Sequence, residues 1–144
     1  MSPAGPPGEA LPGVGVLVLR EGKVLLGRRT SVHGRGTWSP PGGKADPGET
    51  PEETARRELV EESGLVAAVP RVVAETLDTF PDGRTWRTRW VLMEWVSGEP
   101  EALEPDEVDS WSWYEWDRLP TPLFLPMASL VASGYEPFPA GAHG

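Results

Sequence analysis

Glu58, Glu61 and Glu62 are the residues of this chain best suited to chemistry, and they sit close together in the stretch from Gly43 to Leu65, GKADPGETPEETARRELVEESGL. On a helix advancing about 100° per residue they spread over an arc of roughly 100°, beside a narrow stripe shared by Ala55 and Leu59. A plain solvated face would pair Glu52 with Arg56, Glu53 with Arg57 and Arg57 with Glu61, at about 0.2–0.5 kcal/mol each. Two features resist that reading. Glu58 and Glu62 are like-charged one turn apart, and Glu61 and Glu62 fall in the last turn, where the helix dipole disfavours anions by about 0.3–1 kcal/mol each. A bound divalent cation removes both penalties. One or two carboxylates, phosphate oxygens and water form the ligand set that Mg²⁺ prefers, so the stretch reads as a metal and phosphate site.

The helix that must carry these residues has a marked start and stop. Thr50 followed by Glu53 has capping-box spacing, and Pro51 suits the first helical position, where no N–H is needed. The helix is therefore predicted from Pro51 to about Ser63, with Gly64 taking the left-handed conformation that ends it. Ahead of it, Trp38-Ser39-Pro40-Pro41-Gly42-Gly43 joins rigid prolines to glycines whose backbone a ligand can approach closely.

Gly43, five residues, Glu49, seven residues, Arg57-Glu58-Leu59, one residue, Glu61-Glu62, one residue and Gly64-Leu65 together resemble the Nudix box at every fixed position. The resemblance extends from about Val14 to Phe138, and is nearest to the MutT-like branch that includes nucleotide triphosphate diphosphatases of the human type; Gly134-Tyr135-Glu136-Pro137-Phe138 belongs to that nearer likeness. It implies an α/β fold, the Nudix α/β/α sandwich with a mixed β-sheet between helices. It also implies a Mg²⁺-dependent pyrophosphohydrolase, with Mn²⁺ as a substitute, in which water attacks an internal phosphorus of a nucleoside diphosphate linked to another group. Glu58 and Glu62, one turn apart, lead as metal ligands, Glu61 is third, and the Gly42 carbonyl joins them by family likeness. Which glutamate acts as general base stays open within this set. The family's matching arginine, here Arg57, orients the carboxylates through a salt bridge to Glu49. A further acidic ligand or base before Trp113 would be Glu107, with Glu104 and Asp106 close by. For the substrate, Trp38 matches an aromatic lining the nucleotide pocket, Arg29 and Arg89 are candidate phosphate or base contacts, and Leu125 and Met127 are the candidate apolar wall. Ser39 departs from the longer amide side chain of human-type relatives, so their base preference does not transfer.

The 144-residue chain has the length of one domain, expected over residues 13–138, with proline- and glycine-rich tails at 1–12 and 139–144 expected to be disordered. A net charge of −9 argues against a nucleic-acid groove or an anionic membrane as partner and for a small-molecule nucleotide substrate brought in by metal. The absence of cysteine excludes a disulfide framework, a thiol nucleophile and a thiolate zinc site; with no signal-peptide pattern or apolar span, a cytoplasmic setting as monomer or homodimer is expected.

Around the box, Val14–Arg20 and Lys23–Arg28 read as a buried hairpin across Glu21-Gly22, and Ser31–Gly36 as a polar loop. Val66–Phe80 should hold a strand ending at the turn signal Pro81-Asp82-Gly83. Thr85–Val96 alternates, placing Trp86, Thr88, Trp90, Leu92, Glu94 and Val96 on one face and Arg87, Arg89, Val91, Met93 and Trp95 on the other. Glu99–Asp109 reads as an acidic loop, Trp111–Tyr114 as a short strand, and Pro126–Ser133 as a closing helix. Most of the seven tryptophans are expected in packing roles, and His33 and His143 receive no role. Neither a dinucleotide fingerprint nor a GxxxxGK[ST] phosphate loop is present.

Hydrolysis of nucleoside triphosphates, ordinary or modified, to monophosphate and pyrophosphate is thus the leading expectation. An ADP-ribose or nucleotide-sugar pyrophosphatase is the alternative, suggested by Pro81, although Asp82-Gly83 makes a hairpin turn the simpler account of that proline. A catalytically silent nucleotide-sensing module is the remaining one; such modules usually lose a box glutamate, and none is missing here.

Overall fold

A computed structural model describes residues 10–138. In chain order the elements are β1 (Leu11–Arg20), β2 (Lys23–Arg29), β3 (Trp38–Ser39), β4 (Gly42–Lys44), α1 (Pro51–Ser63), β5 (Val66–Thr79), β6 (Thr85–Ser97), β7 (Val108–Glu115), a 3₁₀ turn at Trp116–Arg118, and α2 (Leu125–Ala132). They form one mixed sheet in the order β3-β2-β1-β6-β5, with β7 added beside β2 and β4 beside β1.

The hydrophobic pattern explains why β1 is central. Val14, Val16, Leu17 and Val18 are all buried, which requires cover on both faces of the strand. β6 runs parallel to β1 over Leu11–Leu19 on one side. On the other side β1 divides: Leu19 and Arg20 pair with β2, whereas Gly13, Val14 and Gly15 pair with β4. That division brings the Gly42-Gly43 segment into the sheet beside the N-terminal half of β1.

Each face is closed by one helix. Ala55 and Leu59 of α1 pack with Val14, Val16, Val18, Leu25, Val91 and Met93, while Met127 and Leu130 of α2 pack with Leu17, Leu26, Trp90 and Leu92. The layers are therefore α/β/α. The alternation in β6 sorts its residues between two cores, and both of its faces are buried along Trp90–Met93.

Local signals hold closely. The Thr50 and Glu53 capping box is complete, with Glu53 N–H donating to Thr50 Oγ1 at 3.1 Å and Thr50 N–H to Glu53 Oε1 at 2.8 Å. Gly64 ends α1 at φ 77°, a conformation in which a Cβ would be strained. Besides one-residue shifts at several ends, such as α2 at Leu125–Ala132 in place of Pro126–Ser133, three expectations change. β1 begins at Leu11, because Leu11 and Pro12 pair with Trp86 and Arg87; those two residues were assigned to the N-terminal tail. β7 begins at Val108, so the acidic loop ends at Glu107, since Arg29 pairs with Val108 past a bulge. Trp38–Ser39 and Gly42–Lys44 are short strands rather than a bare linker. Residues 1–9 and 139–144, which hold most of the expected tails and His143, lie outside the described residues. Among the described residues no helix is long and apolar enough to cross a membrane.

Candidate active site

α1 and the loop before it are locked together by Arg57. Its Nε donates to Glu49 Oε2 at 2.7 Å and its Nη2 to Glu49 Oε1 at 2.9 Å, a bidentate pair. Nη1 continues to Glu58 Oε2 at 3.1 Å and Glu61 Oε1 at 3.2 Å. Glu49 is itself held by the Asp46 N–H and the Thr54 hydroxyl. The Arg57 hydrogen bonds, helped by the Asp46 N–H, pull the Glu49 carboxyl down to about 2. The orienting role expected for Arg57 has its geometry here: the guanidinium spans the loop glutamate and the helical ones.

Glu58 and Glu62 turn inward from α1 onto β4. Glu62 is buried, its side chain hydrogen-bonds that of Glu58, and the Gly42 N–H donates to its Oε2 at 3.3 Å. Burial, then the hydrogen bond and charge of Glu58, push the Glu62 carboxyl up to about 10. Without a cation the Glu62 carboxyl therefore keeps its proton beside Glu58. A Cβ at position 43 would overlap the Glu58 carboxylate, so only glycine leaves that side chain its place against β4. Glu61 differs: its side chain is 48% exposed, it pairs with Arg57 at the rim and does not line the cavity described below.

Among the described residues no three acidic or imidazole side chains converge on one point. The donor set still fits a hard divalent cation, because two adjacent carboxylates that must otherwise hold a proton offer hard oxygens, and backbone, water and phosphate complete such shells. Glu58 and Glu62 would hold the ion beside the Gly42 backbone. Bound there, it would neutralise phosphate charge and acidify water.

These glutamates form one end of a cavity of about 570 Å³. Glu104 and Glu107 of the acidic loop also line it, whereas Asp106 does not. Burial, then the charges of Glu58, Glu61 and Glu107, raises the Glu104 carboxyl. The Thr30 N–H donates to the Glu107 carbonyl and the Thr30 hydroxyl to the Pro105 carbonyl, both at 2.8 Å, so this loop is fastened to the end of β2. The wall also carries a set of rings, Phe80, Trp86, Trp90 and Phe124 with His33, and the cations Arg29, Lys44 and Arg84. The His33 ring lies 4.4 Å from that of Phe80 and 5.5 Å from that of Phe124.

The structure sorts the expected substrate residues. Arg29 and Ser39 line the cavity. Arg29 stacks over Phe124 with 4.0 Å between its Cζ and the ring centroid, and bonds the His33 carbonyl at 2.9 Å and Ser39 Oγ at 3.4 Å. Four others do not line it. Trp38 packs on the α2-side core, and its backbone holds Phe124 in place through a 2.8 Å hydrogen bond. Arg89 is on the α1 face of β6, where it pairs with Glu75 at 3.5 Å. Met127 is fully buried in the core, and Leu125 points outward at 39% exposure, because the helix turns Pro126 to the cavity instead. Sequence reasoning missed Trp86 and Trp90 although their shared strand face was readable. It also missed His33, Phe80 and Phe124, isolated residues without any spacing signal.

The NUDIX domain profile matches residues 10–133. An RNA pyrophosphohydrolase of Erythrobacter litoralis is 33% identical, the alignment covering 73% of this chain and 75% of that protein. An oxidized purine nucleoside triphosphate hydrolase of Danio rerio is 37% identical, over 73% of this chain and 66% of that protein. The crystal structure of a MutT NUDIX hydrolase from Burkholderia pseudomallei superposes with a TM-score of 0.78 at 30% identity, covering 85% of this chain and 97% of that one. With Glu58 and Glu62 of the box lining one cavity, these likenesses establish that the chain belongs to the Nudix family and is a MutT-like Nudix hydrolase.

Proposed function

We propose that the protein hydrolyses a nucleoside triphosphate to the monophosphate and pyrophosphate, with Mg²⁺ held by Glu58, Glu62 and the Gly42 carbonyl and with Glu61 supporting at the rim. The observation that carries this reading is one cavity lined both by the paired carboxylates Glu58 and Glu62 and by a set of aromatic rings. Phosphates belong at the first and a planar base at the second. Arg29 serves both, since it stacks on Phe124 and lies within the fields of Glu107 and Glu62. Burial lowers the Arg29 pKa, yet an arginine stays charged, so a desolvated cation is available to a phosphate or base carbonyl. Arg57 and Glu49 fix Glu58, and Glu107 or Glu104, across the cavity, accepts the proton of the attacking water. The cleaved bond is the phosphoanhydride between the α and β phosphorus; pyrophosphate leaves.

Two relatives extend the range of bases and leaving ends. The name of the Danio rerio relative supports an oxidized purine nucleoside triphosphate as substrate, and that of the Erythrobacter litoralis relative, an RNA pyrophosphohydrolase, supports RNA. The net charge of −9 favours the free nucleotide, because an extended polyanion gains no basic surface. A panel of ordinary and oxidised triphosphates, 5′-triphosphate RNA, ADP-ribose and nucleotide sugars, assayed with Mg²⁺ for pyrophosphate release, decides among them. One triphosphate turned over well above the rest supports the proposal. Turnover confined to ADP-ribose or sugar conjugates overturns it.

A further inference from the structure

β6 presents Trp86, Thr88 and Trp90 to the cavity as a floor. The rings are accommodated by glycines on β1: a Cβ at Gly13 would stand 3.2 Å from Trp86, and one at Gly15 would overlap Trp90. The two indoles differ in one respect. Trp90 donates its N–H to Thr76 Oγ1 at 3.0 Å, whereas the Trp86 N–H is buried without a partner.

Directly across the β5–β6 register from Trp86 is Asp78, 8% exposed, whose Oδ1 accepts from Ser129 of α2 and whose Oδ2 is buried without a partner. Among the described residues only three buried side-chain polar atoms lack a hydrogen bond, and two of them are this cross-strand donor and acceptor. The third, on Trp113, belongs to a side chain packed against the opposite core. Thr88, 7% exposed, adds a hydroxyl on the same face. A buried donor and acceptor left open destabilise the fold, and a ligand that satisfies both recovers the loss.

We infer that Asp78, with Trp86 and Thr88, reads the hydrogen-bonding edge of the substrate's base, and that Asp78 is the specificity-determining acceptor. The matching ligand edge presents an N–H to Oδ2 beside a carbonyl or ring nitrogen that accepts from the Trp86 indole, as a nucleobase does. Both atoms are closed to solvent, and Asp78 stands behind the cavity lining beside Trp86, so the base reaches them by displacing a cavity side chain. The inference rests on the nucleotide reading of the cavity and adds which residues select the base.

The test is base ranking by direct binding, which does not depend on turnover. Quenching of intrinsic tryptophan fluorescence by the four common ribonucleoside monophosphates in EDTA gives the ranking for the wild-type protein, Asp78→Asn and Trp86→Phe. Asp78→Asn keeps an acceptor for Ser129 and replaces the free acceptor by a donor, so the preferred base of the wild-type protein should lose about tenfold or more relative to the others. Trp86→Phe keeps the ring and removes the N–H, and should narrow the same ratio. Rankings unchanged within twofold in both variants, or a wild-type protein that binds none of the four, overturn the inference. Failure of the triphosphate panel with a base ranking that still responds to Asp78→Asn overturns the proposed reaction instead.

Discussion

Glu62 is the residue where electrostatics and function meet. Its folded value of about 10, against an ordinary 4.5, means that the metal-free fold keeps a proton that the unfolded chain releases. The sign follows directly: between about pH 4.5 and 10 the unfolded state binds fewer protons, so metal-free stability falls as pH rises through that window. A cation must displace this proton. Titrating Mg²⁺ at pH 7 in two buffers of different ionisation enthalpy should therefore show close to one proton released per site, and none in Glu62→Gln. Equal heats in both buffers would remove the retained-proton account. The same variant should lose roughly 100-fold or more in Mg²⁺-dependent turnover while remaining folded. Arg57→Lys should keep the charge but lose the fork that grips Glu49, lowering turnover by about tenfold with the melting temperature little changed.

α1 shows how local rules set up the site. The complete capping box predicts that Thr50→Ala destabilises the protein by about 1 kcal/mol, measured as a fall in urea midpoint at constant slope. Gly43→Ala tests something different. The added methyl has to occupy the space of the Glu58 carboxylate, so that flexible side chain must swing away from β4. Turnover should then fall further than stability, whereas a variant with full activity would show that the close approach is dispensable. On the opposite side of α1, Leu59 is 1% exposed in the core, and Leu59→Ala should cost about 2–5 kcal/mol, enough to abolish most of the folded population of a marginal domain.

For the whole molecule, charge and ligand binding combine. Divalent cation bound only by the folded state should raise stability by about 2.7 kcal/mol at a hundredfold excess over its dissociation constant, reversed by EDTA and absent in Glu58→Gln. A second pH limb comes from Glu49, whose carboxyl is held down to about 2 by Arg57 and the Asp46 N–H. That contribution is present above about pH 4.5 and is lost as pH falls through 2. Thermal melts of Glu49→Gln should thus show a shallower fall from pH 5 to pH 2 than the wild-type protein. Stability of the metal-free wild-type protein is then greatest on the acid side of neutrality, and the cation moves that optimum upward.

The amino-acid sequence by itself determined α1, its caps, the β1–β2 hairpin, the alternating β6 and the stacking of Glu58 and Glu62 one turn apart. All of these rest on interactions between residues close in the chain or on a helical period, and such interactions are readable as spacing. The box resemblance then supplied the family and the pairing of Arg57 with Glu49. The substrate end was decided only by the tertiary structure. Trp38, Arg89, Leu125 and Met127 are each near the right segment, yet a one-residue step along a strand or a 100° step around a helix turns a side chain into the core or onto the other face. The sheet places Arg89 behind Trp90, and α2 offers Pro126 where Met127 was expected. His33, Phe80 and Phe124 meet because three separate loops close over one end of the sheet. Asp78 and Trp86 became a pair because an antiparallel register set them opposite one another, a juxtaposition that no local pattern encodes.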